Sequence, residues 1–235
     1  MKTIVSAVLL SIGAIALAGC QTATNTTTNT TANARANTAV AGSNANSVMN
    51  MNGNSMPMNG NHDMSQAHHS NMQSSPNAAA QPYDLQFIDT MTHHHQGAID
   101  MAEMAVKKTQ NQELKAFAQK IISDQKKEIA QMKDWREKWY AGKPMAMNME
   151  MNGMDDSMKM MMSGEMKKFE AATGKEFDLM FLDMMTPHHA GATTMAKEAL
   201  TKAENAELKT LANNIIKEQE AEITQMKVWK SEWSK

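Results

Sequence analysis

YDLQFIDTMTHHHQGAIDMA at residues 83–102 and FDLMFLDMMTPHHAGATTMA at residues 177–196 are one segment written twice. Adding 94 to a position in the first gives its counterpart in the second without a gap. The register continues through NQELKAFAQKII (from Asn111) against NAELKTLANNII (from Asn205), then EIAQMKDW (from Glu128) against EITQMKVW (from Glu222). About half the aligned positions are identical, the signature of a duplicated supersecondary unit.

Within each copy the apolar residues recur at a helical three–four spacing. Phe87, Met91, His95, Ala98, Met101, Ala102 and Ala105 predict a first helix over residues 83–108. After a short polar break, Leu114, Phe117, Ile121, Ile129, Met132, Trp135 and Trp139 predict a second, from Gln112 or Glu113 to about Tyr140. Gly142-Lys143-Pro144 ends it. A turn this short makes the two helices antiparallel neighbours, and residues 176–233 repeat the pattern. No stretch alternates like a strand. The expected fold is all-α: a four-helix bundle from two duplicated helical hairpins, packed face to face about a pseudo-twofold axis because neither hairpin buries its own stripe. Pro187 stands where the first copy has His93 and is expected to bend its helix.

Around this core the chain divides into five parts. Residues 1–20 read as a lipoprotein signal peptide: Lys2, a small-residue apolar run, then Leu17-Ala18-Gly19-Cys20. Cys20 is the only cysteine, which excludes an intrachain disulfide and fits lipidation of that residue. Residues 21–81 form an Asn/Thr-rich, then Met/His-rich tether with too few large apolar side chains to offset ordering entropy. Residues 82–142 are the first hairpin, 143–174 a Met-rich linker with a possible short helix in 157–172, and 175–235 the second hairpin; 82–235 form one bundle. Net charge is −2, so no basic field points to nucleic acid.

Methionine is the abnormal residue, 26 of 235. Asp84 and Asp178, with Met91, His94, His95, Glu128 and Met132 and their counterparts Met185, His188, His189, Glu222 and Met226, recur in both copies and together look like metal ligands. On a helical wheel of about 100° per residue, Asp84, Met91, His95 and Ala98 share the stripe centre with His94 on its flank. Gln125, Glu128 and Met132 face them from the second helix, and His95 and Gln125 lie equally far from the turn near residue 110. A glutamate within an apolar stripe is costly unless paired or bound to a cation. Thioether is a soft ligand suited to Cu(I), and imidazole accepts Cu(I), Cu(II) or Zn(II). Glu128 and Glu222 read either as ligands or as partners that fix a histidine tautomer. Gln125 and Gln219 read as hydrogen-bonding partners, His93 as solvent-facing, and Met101, Met104 and Met195, by spacing alone, as core filler. The methionines of the tether (Met49, Met51, Met56, Met58, Met64 and Met72) and the ten from Met145 to Met166 oxidise readily when exposed and suggest exchangeable Cu(I) or Ag(I) sites.

The motif in both copies resembles the signature of domain-of-unknown-function family 305, roughly F-x-x-M-x-x-HH-x-x-A-x-x-MA, which would be present here in two copies. Members are similar to ferritin-like four-helix proteins, and the CopM-like group are Met/His-rich periplasmic copper binders linked to copper resistance. The resemblance implies Met91, His94, His95, Met101, Met185, His188, His189 and Met195 as ligands.

These readings lead to a non-enzymatic, lipid-anchored copper-binding protein of the bacterial envelope, facing the periplasm or outer surface. It would sequester or buffer Cu(I), with Cu(II) and Ag(I) as alternatives, in copper homeostasis. Its partners would be metal ions, the membrane, and copper efflux or transfer proteins. One alternative is a ferritin-like metal-dependent oxidase, di-iron or cuprous. Di-iron sites take Glu-x-x-His, whereas Glu128-x-x-Gln131 and Glu222-x-x-Gln225 lack the histidine. Another is a structural envelope lipoprotein without a ligand.

Overall fold

The computed structural model describes residues 73–154, 157 and 164–235. The signal with Cys20, the tether to residue 72 with its methionines, and Met158, Met160, Met161 and Met162 of the linker lie outside the described residues.

Among the described residues, a 3-10 turn at Ala78–Ala80 precedes α1 (Tyr83–Lys108), α2 (Gln112–Tyr140), α3 (Glu165–Ala171), α4 (Gly174–Lys202) and α5 (Ala206–Trp233). Each long helix follows the period of its apolar stripe. At the start of α2, Asn111 accepts hydrogen bonds from the backbone N–H of Glu113 (2.9 Å) and Leu114 (3.2 Å), satisfying two donors that no helix turn can pair. Past its end, Gly142 adopts φ +73, the left-handed conformation that stops a helix. Pro187 lies inside α4, which continues unbroken through it. None of these helices is long and apolar enough to cross a membrane.

α1 pairs with α2 and α4 with α5 as hairpins, and α1 packs against α4 at the centre. Equivalent residues make equivalent contacts in the two halves. Trp135 stacks on Trp139 at 5.0 Å between ring centres, and Trp229 on Trp233 at 5.2 Å. Glu103 pairs with Lys126 at 3.0 Å between α1 and α2. At the matching positions of the second hairpin Lys197 pairs with Glu220 at 2.7 Å, the same contact with both charges reversed. Arg136 bonds Asp89 at 2.7 Å, and Lys230 meets Asp183 at the corresponding place.

The Met-rich segment after α2 is irregular yet fastened to the outside of α1. Asp89 accepts the N–H of Ala146 (2.8 Å), Thr90 that of Asn148 (2.9 Å), and Gln86 the side-chain amide of Asn148 (2.8 Å). Ser74 and Ser75, read above as tether, also bond this segment, at Met149 N–H and Met147 C=O. The chain then crosses α4 where two glycines meet. A Cβ on Gly153, whose φ is +95, would lie 2.2 Å from the Gly191 carbonyl oxygen, so neither residue has room for a side chain. Beyond the crossing, α3 buries Phe169 against Phe177 at 4.7 Å, closing the end of the core.

Candidate metal centre

The second helix of each hairpin carries a glutamate into the apolar stripe, and the histidine of the first helix takes it up. His95 Nε2 lies 2.7 Å from Glu128 Oε2, and His189 Nε2 lies 2.9 Å from Glu222 Oε2. The carboxylate accepts, so Nε2 carries the proton and Nδ1 presents a lone pair. Those Nδ1 atoms are buried without a hydrogen-bond partner. Both imidazoles are fully buried. Counting from the turn had put His95 level with Gln125; the bond runs to Glu128, one helical turn nearer the distal end of α2.

The neighbouring histidines meet across the molecule instead. His94 and His188 are counterparts, and their rings lie 3.9 Å apart at a 43° tilt, on the axis that relates the two halves. His94 Nε2 is 2.8 Å from Ser157 Oγ, and that hydroxyl also reaches the Gly153 carbonyl at 3.4 Å. A consistent network has Ser157 donating to Gly153 and accepting from His94 Nε2–H, which leaves Nδ1 of His94 as a further lone pair. Nδ1 of both His94 and His188 is buried and unpartnered. Burial, and then the facing imidazole of His188, hold His94 well below the ordinary histidine range. Burial and the adjacent His189 do the same for His188. Each of the four imidazoles thus carries an unsatisfied ring nitrogen. An unmade buried hydrogen bond costs about 1–3 kcal/mol, so these positions are expensive unless something fills them.

The core is rich in buried sulfur. Met91, Met132 and Met195 belong to one core cluster, together with the linker residues Met151 and Met154. Met101, Met185 and Met226 belong to the other, with Met166 and Met184. Each thioether set therefore draws on both hairpins, Met195 joining the first and Met101 the second; the sequence had placed each set within one hairpin. Thr92 and Thr186 point their hydroxyls toward the sulfurs of Met132 and Met226, each at 3.9 Å. Among the described residues, no three His, Cys, Asp or Glu side chains are grouped to hold a metal ion. A metal centre on this bundle would therefore need further donors, and thioether sulfur is a soft one.

Other expectations are redirected. Asp84 accepts the N–H groups of Glu204 and Asn205, both at 2.9 Å, and the Asn205 side chain at 2.7 Å. It ties α1 to the turn between α4 and α5 and is committed there rather than to a metal. Asp178 is buried with one oxygen unpartnered, beside Gln110 and Asn111 at the opposite turn. His93 is half-buried rather than solvent-facing. Gln125 and Gln219 are buried, each with its carbonyl oxygen unpartnered. Sequence reasoning missed Ser157 and the burial of Met151 and Met154. No local signal marks them, because their environment comes from helices they only cross.

Glu222 has a partner that Glu128 lacks at the matching position. Lys120, reaching across from α2, lies 3.0 Å from Glu222 Oε1 and 3.0 Å from Asp124. Burial pushes the Glu222 carboxyl up, but the bonds from His189 and Lys120 outweigh it and hold the group below the ordinary carboxylate range.

An all-α bundle of two helical hairpins, with His/Met/Glu constellations repeated about its centre, is the class of protein these features define. The chain belongs to the DUF305 family, a domain of unknown function, whose sequence profile matches residues 84–230 in a single span across both hairpins. Among solved structures it is similar to CopM in the Cu(II)-bound form, at 41% identity and TM-score 0.54, covering 64% of this chain and 97% of that one. CopM in the Cu(I)-bound form matches at 39% identity and TM-score 0.52, covering 64% and 96%. A secreted DUF305 protein from Streptomyces coelicolor matches at 28% identity and TM-score 0.58, covering 68% and 96%. No curated protein matches.

Proposed function

We propose that this protein binds and sequesters copper, Cu(I) foremost, at two buried constellations: Met91, His94, His95, Glu128, Met132 and Met195, and Met185, His188, His189, Glu222, Met226 and Met101. The observation that carries the reading is the repeated imidazole whose Nε2 is held by a carboxylate while its Nδ1 stays buried and unpartnered, in a core that holds buried methionines from both hairpins. The glutamates then orient and strengthen imidazole donors rather than ligate, and the dominance of neutral sulfur and nitrogen favours Cu(I) or Ag(I) over harder cations. The likeness to CopM, solved with Cu(I) and Cu(II), supports the same choice of metal. Each hairpin brings a single glutamate to its constellation, short of the carboxylate-rich set a di-iron oxidase uses, so storage or transfer fits the residues better than oxidation. Anchoring through a lipidated Cys20 at the envelope completes the proposal.

Titration of the full chain with Cu(I) against a chromophoric chelator tests it, beside a variant with His94, His95, His188 and His189 all changed to Ala. Saturable binding that the variant loses is the expected result. Equal weak binding by both proteins would sink the bundle sites.

A further inference from the structure

The duplication repeats every proposed donor, yet it does not repeat what surrounds them. Lys120 bonds Glu222 Oε1 at 3.0 Å while His189 holds Oε2 at 2.9 Å, so one carboxylate is shared between an ammonium and an imidazole. The position matching Lys120 is Asn214, and the position matching Asp124 is Glu218. Beside Glu128, symmetry therefore places a neutral amide and a further carboxylate. Glu218 feels that neighbourhood: partial burial and then the Glu128 charge hold its carboxyl above the ordinary range. The linker serves the two clusters unequally: Met151 and Met154 join that of Met91, Met132 and Met195, and Met166 that of Met101, Met185 and Met226.

We propose that the two constellations are unequal cation sites, the one built on His95 and Glu128 being the tighter, and that Lys120 sets the difference. The inference rests on the metal-binding reading above. Two effects act in the same direction. The Lys120 charge repels a cation arriving beside Glu222, although its half-exposed side chain leaves that repulsion largely screened by solvent. The second effect passes through a buried bond and is screened less. A carboxylate hydrogen-bonded to a ligating imidazole raises the donor strength of the far nitrogen, and Glu222 gives part of its charge to Lys120, so Nδ1 of His189 is the weaker donor. Lys120 acts through Glu222 and is a positioning residue. One tight and one looser site would let the protein retain one ion and exchange another.

Competitive Cu(I) titration of the full chain tests this with Lys120→Asn, which copies the first site, and Asn214→Lys, which copies the second. Both positions are exposed, so both variants should keep the wild-type melting temperature. Changes to such supporting partners shift metal affinity by roughly 10- to 100-fold. The expected result is two wild-type steps at least about tenfold apart, narrowed by Lys120→Asn and by Asn214→Lys, and retained by Lys120→Arg. The tight step should survive in the His188→Ala/His189→Ala variant, the weak one in His94→Ala/His95→Ala. Two steps that ignore Lys120→Asn, or a tight step lost with His188 and His189, would overturn this inference and leave copper binding standing. A wild-type chain that takes up no Cu(I) would overturn both.

Discussion

The buried imidazoles make stability depend on pH in a direction their environment dictates. His94 and His188 are held neutral far below the value of 6.5 at which an unfolded histidine takes its proton. Below that value the unfolded chain binds more protons than the folded one, so the stability present above it falls as pH drops. The limiting slope is about 1.4 kcal/mol per pH unit for each group. Glu222, held low in the fold, keeps its contribution above the ordinary carboxyl value of 4.5 and loses it as pH falls through its folded value, adding to the acid limb. Urea denaturation of the metal-free protein between about pH 7.5 and 5.5 should show a steep loss that a His94→Gln/His188→Gln variant flattens. A wild-type stability that is level over that window would contradict the neutral, facing pair.

Single elements owe their position to glycines at one crossing and one helix end. Gly191 lies in the interior of α4, where alanine would ordinarily gain about 1 kcal/mol of helix propensity. Here a Cβ would sit 2.3 Å from the Gly153 carbonyl oxygen and 2.5 Å from Ser157 Oγ. The first of these is backbone and cannot rotate away, and overpacking of this kind costs about 1–3 kcal/mol. Gly191→Ala should therefore destabilise in chemical denaturation despite its propensity, and it should disturb the bond from Ser157 to His94. A more stable variant would mean the linker does not cross α4 there. Gly142 has φ +73 and open space around its Cα, so the cost of Gly142→Ala, about 1 kcal/mol, is conformational alone.

Across the whole molecule the two hairpins are joined by a few polar ties in addition to the core. α2 and α5 touch through Phe117 and Trp229, 5.1 Å apart and edge to face, and through the Lys120–Glu222 pair. At one end Asp84 takes three hydrogen bonds from the opposite hairpin. Asp84→Ala removes the charged acceptor of three part-buried donors and should cost about 1–3 kcal/mol. Asp178→Ala, at the matching position with an oxygen already unpartnered, should cost clearly less. Equal losses in thermal unfolding would refute this asymmetry.

Periodicity carried the helices. The α1 span Tyr83–Lys108, the short turn after it and the repeat in the second half are local patterns, and one apolar stripe per helix dictates a bundle. The pairing of hairpin helices was legible too, since the short turn after α1 leaves its two helices no arrangement but antiparallel neighbours. The donor types His, Met and Glu were visible because a polar residue kept twice within an apolar stripe needs a reason. Only the tertiary structure decided who meets whom. It set His95 against Glu128 within a hairpin but His94 against His188 between hairpins, and moved Met195 and Met101 to opposite clusters. It turned Asp84 to a backbone tie, and brought Ser157 and Lys120 to positions no spacing implies. The reason is physical: a helix's own period fixes which residues share its face, whereas the partner of that face comes from packing between segments about a hundred residues apart, which no local pattern encodes.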